Sequence, residues 1–207
     1  MKNSLVEGIP TLEEAKIILE EGSKLNPGAW IDHSLYVGKV AELIAKEDKE
    51  LDSNVALILG MLHDIGRRYG VTNERHSIDG YKFAMEKGYD LWARICMTHG
   101  YLCKNVDDIC GKKDCTIEER NFTKEYLNNI EFTAYDKLIQ LCDALALHNG
   151  FTLIEKRLVD VALRHGVNEY IVPKWKAFME LKKYFEEKME KSIYSILPGV
   201  IENTFEL

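Results

Sequence analysis

Leu57-Ile58-Leu59-Gly60-Met61-Leu62-His63-Asp64-Ile65-Gly66-Arg67-Arg68 is the stretch on which the rest of the chain turns. From Val55 to Leu62 only Gly60 interrupts the large and small apolar residues, so this helix has no solvated face and is expected to be the central one. Asp52 or Ser53 can cap it, which puts its start near Asn54. It runs into adjacent His63 and Asp64, and burying such a pair is costly unless something neutralises it. A bound metal ion is the simplest compensation. Consecutive helical residues point about 100° apart, but at a terminus loosened by Gly66 both side chains can converge on one ion.

Toward the N-terminus, His33, Val37, Val40 and Ile44 fall at helical spacing, so His33 continues an apolar stripe and is expected to point into the core. Before it, Thr11-Leu12-Glu13-Glu14 is a capping-box pattern that starts a first helix, expected to run to about Glu21 and to stop at Gly22 and Asn26-Pro27-Gly28. Toward the C-terminus, Arg67 to Glu74 reads as a loop and Arg75 to about Glu86 as a fourth helix, with His76, Gly80 and Ala84 on one face. The glycine there permits close backbone approach one turn from the histidine. A fifth helix, Asp90 to about Thr98, puts Trp92, Cys96 and His99 on one stripe.

Tyr101 to Cys115 is polar and reads as an excursion, followed by a capping box at Thr116-Ile117-Glu118-Glu119 and a modest helix to about Asn128. Cys103, Cys110 and Cys115 lack the CxxC spacing of structural zinc. Thr133 to Leu147 groups Tyr135, Ile139, Asp143 and Ala146, and a carboxylate in the middle of so apolar a segment is out of place. His148 and His165 read as structural histidines at helix ends. The last long helix, from about Pro173, is amphipathic, with Trp175, Phe178 and Phe185 as core residues and a solvated Lys/Glu face. No strand pattern is convincing. The expected fold is all-α, a single domain over residues 1–207 with a core at about 11–148, an excursion at about 101–130 and a helical extension at about 151–207.

The 207 residues are 46% apolar and 29% charged, as in an ordinary globular protein. A net charge of −7 argues against a dedicated nucleic-acid binder, because no basic surplus is available to displace counterions. No apolar stretch approaches membrane-spanning length, and Met1 to Pro10 has no signal-peptide core. Five cysteines, an odd number, suit a reducing compartment better than a disulfide framework, so the expectation is a cytoplasmic protein.

Helices that otherwise exclude polar groups thus deliver His33, the pair His63 and Asp64, and Asp143, with His76 and His99 available from two more. Imidazole with carboxylate suits iron, manganese, cobalt or zinc, with magnesium also open. Asp64 has two oxygens and can bridge. One ion would then take His33, His63, Asp64 and Asp143, and a second Asp64, His76 and His99.

In that order, His33, His63-Asp64 and Asp143 resemble the H…HD…D signature of the HD-domain metal-dependent phosphohydrolases, and His63-Asp64-Ile65-Gly66 matches the common HDIG form. His76 and His99 resemble the additional histidines of dinuclear members, and the resemblance covers roughly Leu12 to Leu147. It implies hydrolysis of a phosphate ester or anhydride of a small metabolite, a nucleotide foremost, with Asp64 and Arg67 in catalytic roles. Arg67, directly after the signature, is the first candidate phosphate contact, with Arg68 and Lys104 behind it. Departures narrow the choice: no Gly-Tyr-Pro segment follows His99, unlike cyclic-dinucleotide phosphodiesterases, and the chain is far shorter than ring-forming dNTP triphosphohydrolases. A di-iron oxygenase and a non-catalytic nucleotide-binding module are the alternatives, no nucleic-acid or membrane partner is expected, and a homo-oligomer is left open.

Overall fold

The computed structural model describes residues 7–207, so most of the stretch read for a signal peptide, Met1 to Val6, lies outside the described residues. Among the described residues ten helices, α1 to α10, build an all-α fold with one hairpin of two-residue strands. They are α1 (Leu12–Leu25), α2 (Trp30–Glu47), α3 (Ser53–Leu62), α4 (Arg75–Glu86), α5 (Asp90–Thr98), α6 (Ile117–Asn128), α7 (Ala134–Asp143), α8 (Ile154–His165), α9 (Ile171–Met189) and α10 (Val200–Phe205). The hairpin strands are β1 (Ala146–Leu147) and β2 (Gly150–Phe151).

Helix α3 is central for the reason its sequence suggests: Val55, Ala56 and every residue from Ile58 to Leu62 are buried. It crosses α2 at two glycines. A Cβ on Gly60 would stand 2.6 Å from the Gly38 Cα, and one on Gly38 would stand 2.8 Å from the Leu57 carbonyl oxygen. This near contact of backbones sets His33 on α2 beside His63 at the end of α3. The carbonyl of Leu62, left without a helical donor, accepts from the Trp92 indole at 3.0 Å, which docks α5 against the same end.

Three capping boxes start α1, α6 and α7, at Thr11, Thr116 and Thr133. The third extends beyond its own helix. Asp136, fully buried, accepts from Thr133 and also from Arg94 Nε and Thr98 Oγ1 on α5, at 2.8 and 2.7 Å. Gln140 donates to the Thr98 carbonyl at 3.0 Å. Helices α5 and α7 are therefore locked in register, and with them His99 and Asp143.

Some boundaries differ from the sequence expectation. Helix α1 continues through Gly22 to Leu25, because Gly22 is a packing position: a Cβ there would press on Trp30 at 3.1 Å and Ile65 at 3.3 Å. Helix α7 stops at Asp143, so the aspartate ends the helix, and Ala146 lies on a strand. Ala146 pairs with Phe151 and Leu147 with Gly150 around His148 and Asn149, so His148 belongs to a tight hairpin turn. Two pairs are too short to show an alternation in sequence. Gly150 has φ +150° and abuts Asn203 of α10, whose Nδ2 donates to the Phe151 carbonyl at 2.8 Å.

One hydrophobic cluster reaches from Ile9 through α3 to Val200, with Phe185 fully buried and Trp175 and Phe178 packed against it from α9. A second, smaller cluster of Tyr101, Val106 and Leu127 lies in the segment read as an excursion. That segment is tied back firmly. Glu74 is 1% exposed and takes both its oxygens to Arg120 of α6, at 2.5 and 2.6 Å. Asp114 accepts from the backbone of Asn73 and Arg75, at 2.7 and 2.9 Å, and so caps the start of α4 just ahead of His76. Among the described residues no helix is long and apolar enough to cross a membrane.

Candidate metal centre

Six side chains converge where α2, α3, α4, α5 and α7 meet: His33, His63, Asp64, His76, His99 and Asp143. Helix α3 ends at Leu62, so His63 and Asp64 sit at the junction with a 3-10 turn (Ile65–Tyr69), and the loosened terminus turns both inward. Gly66 makes the turn fit. It lies against α4 so tightly that a Cβ would collide with the His76 carbonyl oxygen and stand 2.6 Å from the Gly80 nitrogen.

The histidines are oriented by backbone carbonyls. His63 Nδ1 donates to Gly60 at 2.8 Å, His99 Nδ1 to Cys96 at 2.9 Å, and His76 Nδ1 to Asn73. With the proton on Nδ1, each Nε2 presents a lone pair to the centre, the orientation that metal-ligating imidazoles take. His76 Nε2 lies 3.1 Å from His99 Nε2 and 3.1 Å from Asp64 Oδ1, while His99 Nε2 lies 3.5 Å from the same oxygen. Ligands about 2.1 Å from a shared ion stand about 3.0 to 3.4 Å apart. On the other side His33 Nε2 is 2.9 Å from Asp143 Oδ1, and His63 Nε2 is 3.9 Å from that oxygen and 3.8 Å from Asp64 Oδ2.

Two atoms test whether these residues fit a metal. His63 Nε2 and Asp64 Oδ1 are buried with no hydrogen-bond partner. Leaving such atoms unsatisfied costs about 1 to 3 kcal/mol each, more for a charge, and both point where an ion would stand. The donor set, nitrogen and carboxylate oxygen only, suits a divalent transition metal. Asp64 belongs to two of the three ligand groups, one with His33 and His63 and one with His76 and His99, so it is placed to bridge.

The electrostatics keep His63, His76, Asp64 and Asp143 in the forms that would bind a metal. Burial pushes His63 down to about 4, against the pull of Asp64. Burial and then the Arg67 charge take His76 down to about 3. Both are neutral at physiological pH. Burial opposes ionisation of Asp64, but Arg67, His63 and His76 outweigh it and hold the carboxyl well below the usual range. For Asp143 burial is likewise outweighed, first by the His33 hydrogen bond and charge, then by the charges of His63 and Arg157. His99 alone moves up: burial works against its proton, and the Asp64 carboxylate more than compensates.

Of the three cations expected at a phosphate, the structure brings one to the centre. Arg67 Nε donates to Asp64 Oδ2 at 2.6 Å and its Nη1 to the Thr72 carbonyl at 3.2 Å. Arg68 instead stacks on Phe83, its guanidinium carbon 3.9 Å from the ring centroid, and serves the packing of α4. Lys104 is engaged elsewhere too: its ammonium donates to the Ile130 carbonyl at 2.5 Å and lies 5.2 Å from the centre of the Phe132 ring, with Glu131 at 3.2 Å. Its place in sequence just after His99 had suggested otherwise. The three loop cysteines are free thiols, and among the described residues none joins a metal-capable group. His165 closes α8 as expected and packs against Gly111, where a Cβ would stand 3.3 Å from its Nδ1.

With this geometry in place, the chain matches the family model described as HD domain over residues 30–147, more than half its length and the span that carries all six convergent residues. No curated protein and no solved structure matches it.

Proposed function

The chain belongs to the HD-domain family, a superfamily of metal-dependent phosphohydrolases, and on that premise we propose that it hydrolyses a phosphate ester or anhydride of a small metabolite, with nucleotides the first class to test. The observation that carries the reading is Asp64, shared between two histidine sets and held by Arg67 at 2.6 Å. Nitrogen ligands beside a carboxylate would hold one or two divalent ions, with His33, His63 and Asp143 on one side of Asp64 and His76 and His99 on the other. When bound, such ions acidify a water for attack on phosphorus and polarise the phosphoryl oxygens.

The protein's own groups do the rest. Arg67 spends Nε on Asp64 and one Nη1 proton on Thr72, which leaves guanidinium N–H groups to receive phosphoryl oxygens and the charge that develops on them. Because that guanidinium is fixed at both contacts, no reorganisation is needed when the substrate arrives. Asp64, ionised throughout the physiological range, can accept a hydrogen bond from the attacking water and orient it. The buried walls from α3 and α5 exclude bulk water and strengthen these interactions.

A cation fixed at the centre favours an anionic substrate over the uncharged one of a di-iron oxygenase, and a complete ligand set favours turnover over mere binding. Full-length protein loaded with Mn²⁺, Fe²⁺ or Co²⁺ is expected to release phosphate or a nucleoside phosphate from some member of a nucleotide and phosphomonoester panel, and to lose that activity to a chelator. No turnover across the panel with verified metal loading contradicts the reading.

A further inference from the structure

Between the 3-10 turn and α4 the chain passes the centre in a short irregular segment, and two of its carbonyls are spent on residues of the centre. The Thr72 carbonyl accepts from Arg67 Nη1 at 3.2 Å, and the Asn73 carbonyl accepts from His76 Nδ1. Arg67 and His76 in turn meet at one carboxylate, Arg67 Nε 2.6 Å from Asp64 Oδ2 and His76 Nε2 3.1 Å from Asp64 Oδ1. The contacts close a ring: Asp64, Arg67, Thr72, its neighbour Asn73, His76 and Asp64 again. Asp114 pins the same segment from outside, accepting from the Asn73 and Arg75 backbone at 2.7 and 2.9 Å. Thr72 is therefore fixed at the edge of the centre by its own main chain.

Its side chain is what the ring leaves unexplained. Thr72 Oγ1 is buried and, among the described residues, has no hydrogen-bond partner, the condition that also marks His63 Nε2 and Asp64 Oδ1. Buried hydroxyls are satisfied in native proteins as a rule, so an unpartnered one beside a polar site calls for a partner from outside the chain. The chemistry of that partner follows from what lies next to it. A threonine hydroxyl stands within about 5 Å of its own carbonyl oxygen, and that oxygen is where Arg67 Nη1 rests. Arg67 still has N–H groups to spare, and a guanidinium has donors only. The group that satisfies both at once is an acceptor with several oxygens. Each donor reaches about 2.8 Å, so the two are near enough to hold one phosphoryl group between them.

We propose that Thr72 is a phosphate-binding residue, its hydroxyl donating to an oxygen of the same phosphoryl group that Arg67 receives. The inference rests on the phosphate reading above and adds a contact to it. Arg67 supplies charge from one side, and Thr72 supplies a short neutral donor from a backbone already held in place, so neither needs to reorganise when the substrate arrives.

The test separates the hydroxyl from the ring that carries it. Thr72→Val keeps the shape and the carbonyl and removes only the donor, whereas Thr72→Ser keeps the donor. Calorimetry on the full chain measures Mn²⁺ binding first and then the binding of methylphosphonate, a probe that cannot be hydrolysed, to the Mn²⁺-loaded protein. Thr72→Val is expected to weaken methylphosphonate by about ten-fold or more, as for loss of a hydrogen bond to a charged group, and Thr72→Ser to stay within about three-fold of the wild type. Mn²⁺ affinity should remain within about two-fold in both, because the contacts to Arg67 and His76 are made by backbone. A circular-dichroism melt establishes that each variant is folded, and Thr72→Ala carries the comparison if valine does not fold. Unchanged methylphosphonate binding in Thr72→Val, a serine variant as weak as valine, or equal weakening of Mn²⁺ and methylphosphonate overturns the proposal. If the loaded wild type does not bind methylphosphonate, the phosphate reading falls as well; if it binds and valine binds equally, that reading stands and only the role of Thr72 falls.

Discussion

Asp64→Ala is expected to abolish phosphoester turnover, by about a thousandfold or more in kcat/KM, and to remove bound metal at the same time. The two losses are coupled because Asp64 is the residue common to both halves of the centre: Oδ1 lies 3.1 Å from His76 Nε2, and Oδ2 is 3.8 Å from His63 Nε2. Removing it also frees Arg67, which then lacks the anchor that aims its guanidinium. Asp64→Asn separates charge from shape. It fills the same space and can still meet Arg67 with its amide oxygen, but it cannot offer two anionic oxygens to ions. Elemental analysis of the purified variants beside the turnover assay reads both effects, and an asparagine variant with wild-type metal content and activity would contradict the bridging role.

The second large effect is on folding. Gly66→Ala places a methyl group against backbone, the His76 carbonyl oxygen on one side and the Gly80 nitrogen at 2.6 Å on the other. Overpacking against flexible side chains costs about 1 to 3 kcal/mol. Here the obstacle is the α4 main chain, which cannot move aside without carrying His76 with it, so a loss of about 3 kcal/mol or more is expected. Against a total stability of about 5 to 15 kcal/mol, that is a large share. Denaturant unfolding of the metal-free protein should show it as a lower midpoint, and a wild-type midpoint would mean that the turn and α4 are not packed as described. The comparison is best made without metal, since ligand binding to the native state would mask part of the loss.

The convergence of the six histidine and aspartate side chains was legible because each breaks an apolar stripe. His33 sits at helical spacing from Val37, Val40 and Ile44, and His76 and His99 share faces with Gly80 and Cys96, all buried residues except His33 itself. A polar residue on a buried face must have a partner, and five such faces in one chain suggest that they share it. Periodicity says which face is inward but not what it meets. That is why Arg68 and Lys104 were indistinguishable from Arg67 in sequence: only the packing shows Phe83 under the first and the Ile130 carbonyl at the second. Gly22 illustrates the same limit. A glycine after a helical run looks like a stop until Trp30 and Ile65 fill the place of its side chain.

The most direct test of the account is anomalous diffraction at the manganese edge from crystals of the full chain grown with Mn²⁺. Two peaks are predicted on either side of Asp64, one among His33, His63 and Asp143 and the other beside His76 and His99. A map with no anomalous peak within reach of these residues, in a protein shown to be folded and saturated with the ion, would contradict it.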